Sequence, residues 1–222
     1  MKKLLRIALI LFTLIPLGVS GQDLKEYYYN LEDYTTPKYF VYEMKDHPEL
    51  NQYWKIHTDP ENKILVTIAY NAKFEQQEFV KEQYTDSGAV LLQFDMFENN
   101  DIVRSAVVKS DVFKWEAKPG EYAYEINYVN QYGSNNMRKE RKFRLFEEMT
   151  VLGKKMDVAR LSSYYVVKTE SYTPTRFSQF SYYAKGIGFV KFQRFFDEGP
   201  LYTLELAKII EEEEWQLLKS GK

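Results

Sequence analysis

Apolar and polar residues alternate with a period of two along most of this chain, in short runs that end at turn residues. In one run Val90, Leu92, Phe94 and Met96 fall on one side, and Leu91, Gln93, Asp95 and Phe97 on the other. In another, Tyr122, Tyr124, Ile126 and Tyr128 share a face. A period of two is the signature of a β-strand whose two faces meet different surroundings. Similar runs predict strands at 38–44, 53–57, 63–70, 74–84, 141–152, 155–159, 164–171, 180–184, 189–196 and 201–210. A strand at 102–109 continues at 112–115 after a bulge. Clusters of Gly, Pro, Asn, Asp and Ser separate these runs, among them Asp86-Ser87-Gly88, Lys118-Pro119-Gly120-Glu121 and Gly133-Ser134-Asn135-Asn136, and Pro174 marks a loop. Only the stretch from Glu211 through Trp215 to Leu218 reads as a short helix. Strands joined by short turns, with no crossover helices, pair antiparallel. The expectation is an all-β fold: a single antiparallel, strongly curved sheet, a half-barrel or open barrel, with few or no long helices. It occupies residues 37–222, after a polar, Tyr-rich lead-in at 22–36 that is either flexible or one helical turn.

The start of the chain breaks this pattern. Lys2, Lys3 and Arg6 precede an apolar run from Ile7 to Leu17, and the small residues Val19-Ser20-Gly21 follow. Basic, apolar, small is the order of a secretory signal peptide, here residues 1–21 with cleavage before Gln22. The apolar run is too short to span a bilayer of about 30 Å as a helix. The chain has no cysteine, so neither an acylated N-terminal cysteine nor a disulfide is available. The expected location is outside the cytoplasm, in the periplasm or the extracellular space, with no stable membrane insertion after cleavage.

Residues 1–21 carry three basic and no acidic side chains, so their removal takes the net charge from −2 to about −5. That balance argues against a nucleic-acid partner, which needs a basic footprint. Aromatic residues make up 17% of the chain, with 19 Tyr and 15 Phe, which suits half-buried strand faces and partly wet clefts.

One segment, Tyr182-Tyr183-Ala184-Lys185-Gly186-Ile187-Gly188-Phe189-Val190-Lys191, resembles the "YAKGVGLVK" hairpin of exported domain-of-unknown-function families. Thr150-Val151-Leu152-Gly153-Lys154-Lys155-Met156-Asp157 resembles a preceding hairpin in the same families. The resemblance implies export and an antiparallel half-barrel of the lipoprotein-carrier type. Glycine in such a hairpin has a mechanical reason, because only it takes positive φ cheaply, so Gly186 or Gly188 is expected there.

Motifs of catalysis are sparse. His47 and His57 are the two histidines, and His57-Thr58-Asp59 sits at a strand end. No Gly-x-Ser-x-Gly motif and no phosphate-cradling glycine loop is present. Without cysteine, and with separated histidines, no metal site or cofactor is expected. The acidic turn at 98–101 lacks calcium-loop spacing. Leu92, Phe94 and Met96 read as core. Tyr124, Ile126 and Tyr128 read either as a partly exposed sheet face or as one wall of an apolar cleft shared with Tyr182 and Phe189. The leading expectation is therefore a non-enzymatic exported domain that binds an apolar or amphipathic small molecule, or a lipid-modified partner, in the hollow of the sheet. The alternatives are a filled structural domain that binds another envelope protein and, behind both, an envelope-glycan hydrolase.

Overall fold

The computed structural model describes residues 23–99, 101–170, 172–196, 199 and 201–221. The proposed signal peptide lies outside them. Twelve strands follow in order: β1 (Lys38–Glu43), β2 (Gln52–Asp59), β3 (Ile64–Tyr70), β4 (Gln76–Tyr84), β5 (Gly88–Glu98) and β6 (Asp101–Lys114), then β7 (Tyr122–Asn130), β8 (Gly133–Val151), β9 (Lys154–Thr169), β10 (Tyr172–Ala184), β11 (Gly188–Phe196) and β12 (Tyr202–Ile210). Each pairs antiparallel with its sequence neighbour, and β1 also pairs with β12, so the sheet closes into a barrel. The expected half-barrel or open barrel is thus corrected to a closed one. Tyr39 opposite Ile210 and Tyr42 opposite Leu206 make the seam, and closure leaves no unpaired edge.

One helix, α1 (Glu212–Lys219), follows β12 and lies against the outside of the wall. Trp215 stacks on Tyr39 at 4.8 Å and meets Tyr53, Tyr70 and Phe74, which covers the outer face of β1–β3 there.

From Asp23 onward the lead-in packs into the barrel. It forms two 3-10 turns, Lys25–Tyr27 and Leu31–Tyr34, and buries Leu24, Tyr27, Tyr28, Tyr29 and Tyr34. These side chains close one end of the barrel. Tyr28 packs on Phe113, Tyr84, Trp115 and Tyr183, while Tyr29 packs on Tyr34 and Phe40. Backbone bonds tie the plug to the rim: Leu24 N–H donates to the Trp115 carbonyl at 2.6 Å, and Gly186 N–H to the Glu26 carbonyl at 2.9 Å. The Thr58 hydroxyl donates to Leu31 and that of Tyr84 to Tyr29, so β2 and β4 grip the same segment.

Two departures have local causes. Leu92 is 45% exposed rather than core, and Leu91 is buried in its place. Lys81 pairs with Gln93 but Glu82 with Leu91, so Leu92 is an extra residue of β5, and this bulge inverts which residues face in. Pro174 lies inside β10, where the register to β9 jumps between Tyr172 and Thr175; a residue without an N–H fits such a gap in the ladder.

The β10–β11 turn has Gly186 at φ 77° and Gly188 at φ 97°. A Cβ on Gly186 meets nothing within 4 Å, but one on Gly188 would lie 2.6 Å from the ring of Tyr29. Gly186→Ala should therefore cost only the left-handed backbone penalty, about 1 kcal/mol. Gly188→Ala should cost about 3 kcal/mol, because it also displaces the plug. Urea unfolding measures both; equal losses would show that the Tyr29 contact is not felt.

Candidate functional site

The register decides which side chains enter the barrel. Across β7 to β10 it sets Tyr124 opposite Lys139, Lys139 opposite Tyr165, and Tyr165 opposite Phe177. The next row toward the plug is Tyr122, Arg141, Ser163, Gln179 and Arg194. From the other side, β4 contributes Glu78, Val80 and Glu82, opposite Ala69, Thr67 and Leu65 of β3. All of these lie on one face because strand side chains repeat every two residues.

Inward side chains are packed at the plugged end and become accessible beyond it. Glu82, Arg141, Tyr183 and Tyr28 are buried and mutually connected. The Tyr28 hydroxyl donates to the Glu82 carboxylate at 2.6 Å. Arg141 donates to the Val112 carbonyl at 2.7 Å and to the Tyr183 hydroxyl at 2.9 Å. Further along, inward side chains become accessible: Glu78 is exposed, and Val80, Met96, Met137, Tyr128 and Phe177 are half-buried. An inward residue that still meets solvent-sized space, with walls around it, faces a lumen. The packed charge network is its floor.

Lys139 stands on the wall of this lumen just above the floor. It is 7% exposed, with its ammonium 4.7 Å from the centre of the Tyr165 ring and 5.7 Å from that of Tyr124. Among the described residues no carboxylate lies within salt-bridge distance of it, and no acceptor takes a hydrogen bond from it. Burial, reinforced by the like charges of Arg141 and Arg194, pulls its amine well below the usual lysine range; Glu78 and Glu82 oppose this. Enclosure by the surrounding barrel wall pushes the Glu78 carboxyl up, although solvent still reaches it, against the pull of Lys139 and Arg194. Burial pushes up that of Glu82 against the Tyr28 bond and the charges of Arg141 and Lys139. The Tyr165 phenol is pushed up to about 12, again by burial first. Arg194 is held in place, with Nε and Nη2 both donating to Gln179 Oε1 and its guanidinium over the Phe177 and Phe192 rings. Two polar atoms at the floor, Arg141 Nε and Ser163 Oγ, are buried without a partner.

The residues expected to line a cleft fall in two places. Tyr124 and Ile126 are buried on the lumen side with Leu91, Phe94 and Val112, and Tyr128 packs against them. Phe189 faces inward at the plugged end, stacked on Trp54 at 5.0 Å and beside Tyr42 and Tyr183. Tyr182 points the other way from Tyr183, into the outer wall, where its hydroxyl donates to Gln193 at 2.6 Å and Lys191 sits over its ring. The structure thus joins Tyr124, Ile126 and Tyr128, and separates them from Phe189 and Tyr182. Sequence reasoning missed Glu78, Glu82, Lys139, Arg141 and Arg194. Lys139 and Arg141 share the parity of Phe143, and Glu78 and Glu82 that of Tyr84, but Arg138, Glu140, Lys142 and Lys81 charge the other face as well, so the sequence carried no clear signal.

Among the described residues no three His, Cys, Asp or Glu side chains cluster as metal ligands do, and no helix is long and apolar enough to cross a membrane. No protein-family model matches the sequence, and no curated protein sequence matches it. Solved structures do share the fold. A candidate lipoprotein from Parabacteroides distasonis aligns with a TM-score of 0.54 at 11% identity, over 83% of this chain and 98% of its own. A candidate exported protein with a YmcC-like fold from Bacteroides fragilis aligns with a TM-score of 0.50 at 12% identity, over 78% and 95%.

Proposed function

We propose that this chain is an exported, non-enzymatic binding domain whose plugged barrel acts as a cup for an amphipathic small molecule. The observation that carries the reading is that Glu78 points inward and is nevertheless exposed. The lumen walls pair apolar surface at Val80, Met96 and Met137 with polar groups at the base, the composition of a site that fixes one end of a ligand and covers the other. Export is supported by the basic, apolar and small segments of residues 1–21 and by the two fold neighbours, a candidate lipoprotein and a candidate exported protein. The outer wall suits water: Arg138 bridges Glu125 and Glu140 there, whereas a barrel that crosses a bilayer needs an apolar outer band.

The two lumen carboxylates do not favour hydrolysis. Glu78 and Glu82 stand four residues apart on one strand, about 13 Å along it, wider than the roughly 5–9.5 Å of glycosidase pairs. The protein-interaction alternative has one observation of its own, a shallow outer groove of about 210 Å³ lined by Arg144, Tyr164, Phe180 and Phe195.

Uptake of a neutral fluorescent probe, N-phenyl-1-naphthylamine, tests the cup. The wild type should bind it, and Val80→Trp, which fills the lumen from a half-buried position, should weaken binding at least about tenfold at an unchanged urea midpoint. A wild type that takes up no probe would leave the outer-groove reading as the better one.

A further inference from the structure

We propose that the lumen is selective for a monoanionic head group, the carboxylate of an amphipathic ligand, held by Lys139 and Arg194. This rests on the cup reading and adds the chemistry of what the cup holds.

Three observations carry it. First, Lys139 is more than nine-tenths buried, projects into the lumen between Tyr124 and Tyr165, and has no anionic partner among the described residues. Aromatic faces stabilise an ammonium only in part, and a buried charge without a counter-ion is costly enough that it is ordinarily paired. Second, the charged groups that act on Lys139 are Arg141 and Arg194 against Glu78 and Glu82, while Glu98, on the same inward face nearer the mouth, is held by Asn130. At the base of the lumen three basic side chains thus stand against two carboxyls, an excess that an anionic head group offsets. Third, Arg194 is pre-organised. Gln179 Oε1 takes the protons of Nε and Nη2, and the Phe177 and Phe192 rings hold the guanidinium plane. Nη1 has no protein acceptor among the described residues, and its end-on N–H runs parallel to the second N–H of Nη2, a pair on a fixed plane that suits a carboxylate. Arg141, by contrast, donates through Nη1 to Val112 and through Nη2 to Tyr183, leaves only Nε without a partner, and belongs to the floor.

The apolar surface lies on the mouth side of these cations, at Met137 on β8 and at Val80 and Met96 on β4 and β5. A ligand therefore enters head first, with its chain toward the open end. Proton linkage follows. A carboxylate beside Lys139 restores the counter-charge that burial and the two arginines deny it, so binding raises the affinity of the amine for its proton. Affinity should then rise as the pH is lowered toward neutrality from above, with a proton taken up on binding. The groups that face Lys139 are Glu78, Glu82, Arg141, Arg194, Tyr124 and Tyr165.

Calorimetry on the delipidated full-length mature chain decides the matter with two ligands of one tail, decanoate and decanol. Decanoate should bind at least tenfold tighter than decanol. The preference should vanish in Lys139→Met and persist in Lys139→Arg. In wild type, decanoate titrations in buffers of different ionisation enthalpy should show proton uptake, a readout that needs no variant. Equal binding of both ligands by wild type, a preference kept by Lys139→Met, or proton release would overturn the head-group assignment while decanol binding keeps the cup. Failure of both ligands to bind would overturn the cup and the head-group site together.

Discussion

Tyr28→Ala should lower the unfolding free energy by about 4 kcal/mol, the cost of truncating a large buried aromatic that leaves a cavity. Tyr28 is buried in the plug, with its ring 4.5 Å from Phe113 and in contact with Tyr84, Trp115 and Tyr183. These partners come from β4, from β10 and from the end of β6 with the residue that follows it, so one truncation loosens three parts of the rim. The same substitution removes the hydroxyl that donates to Glu82, leaving that carboxylate without its short bond. Tyr28→Phe separates the two effects, because the ring stays and the bond goes. Its cost depends on pH. Burial raises the folded-state pKa of Glu82 above its ordinary 4.5, so the folded protein holds that proton more tightly than the unfolded chain does. The stability this group contributes is present below the unfolded value and is lost as the pH rises through the folded one. The Tyr28 bond opposes the raised pKa and so protects stability at neutral pH. Tyr28→Phe should therefore cost little at pH 4 and about 2 kcal/mol at pH 8, where the orphaned carboxylate is ionised. Urea melts at the two pH values measure this; a loss independent of pH would show that Glu82 does not depend on the phenol.

Much of the wall was legible from alternation alone, and the parity of β7 shows why. Tyr124 and Ile126 face the lumen as the period of two requires, because β7 pairs with β8 without a shift from Tyr122 to Asn130. Where a bulge intervenes the same rule misleads, as Leu92 shows. Closure was not legible, since it depends on β1 meeting β12 across nearly the whole chain, and nothing within either strand distinguishes an edge from a seam. The plug was hidden for a different reason. Tyr27-Tyr28-Tyr29 has no period at all, and its burial comes from the rim of the barrel rather than from its own pattern.

The lumen charges were the least visible part. Arg138-Lys139-Glu140-Arg141-Lys142 is charged on both faces, so hydropathy cannot say which residues point inward. Only the register to Tyr165 and Ser163 separates Lys139 and Arg141, which enter the barrel, from Arg138 and Glu140, which pair on its outside. In β4, Glu78 and Glu82 likewise looked like ordinary solvated residues of a polar strand. The sequence therefore pointed to aromatic residues as the binding surface, while the unpaired charge that gives the lumen its chemistry lay in segments without contrast.

Gly88→Ala should destabilise the fold by about 3 kcal/mol or more, although Gly88 does not have a left-handed backbone. A Cβ at this position would lie 2.0 Å from the carbonyl oxygen of Phe113 and 3.1 Å from its carbonyl carbon. Those are backbone atoms of the neighbouring strand, and no rotamer change moves them aside. The first residues of β5 pair closely with the end of β6, Gly88 opposite Lys114 and Ala89 opposite Phe113. The turn before them is fixed as well: the Thr85 N–H donates to Gly88 and the Trp115 N–H to Ser87. Relief must come from moving the end of β6 outward, which draws Phe113 away from Tyr28 and opens the plugged end. Gly153→Ala is the control. Its φ of 75° brings the left-handed penalty, but a Cβ there meets nothing within 4 Å, so its loss should stay near 1 kcal/mol. Urea unfolding of the two variants compares close approach with backbone strain directly. Losses of equal size would mean that β6 shifts freely at Phe113, and that the plugged end is less tightly built than its contacts imply.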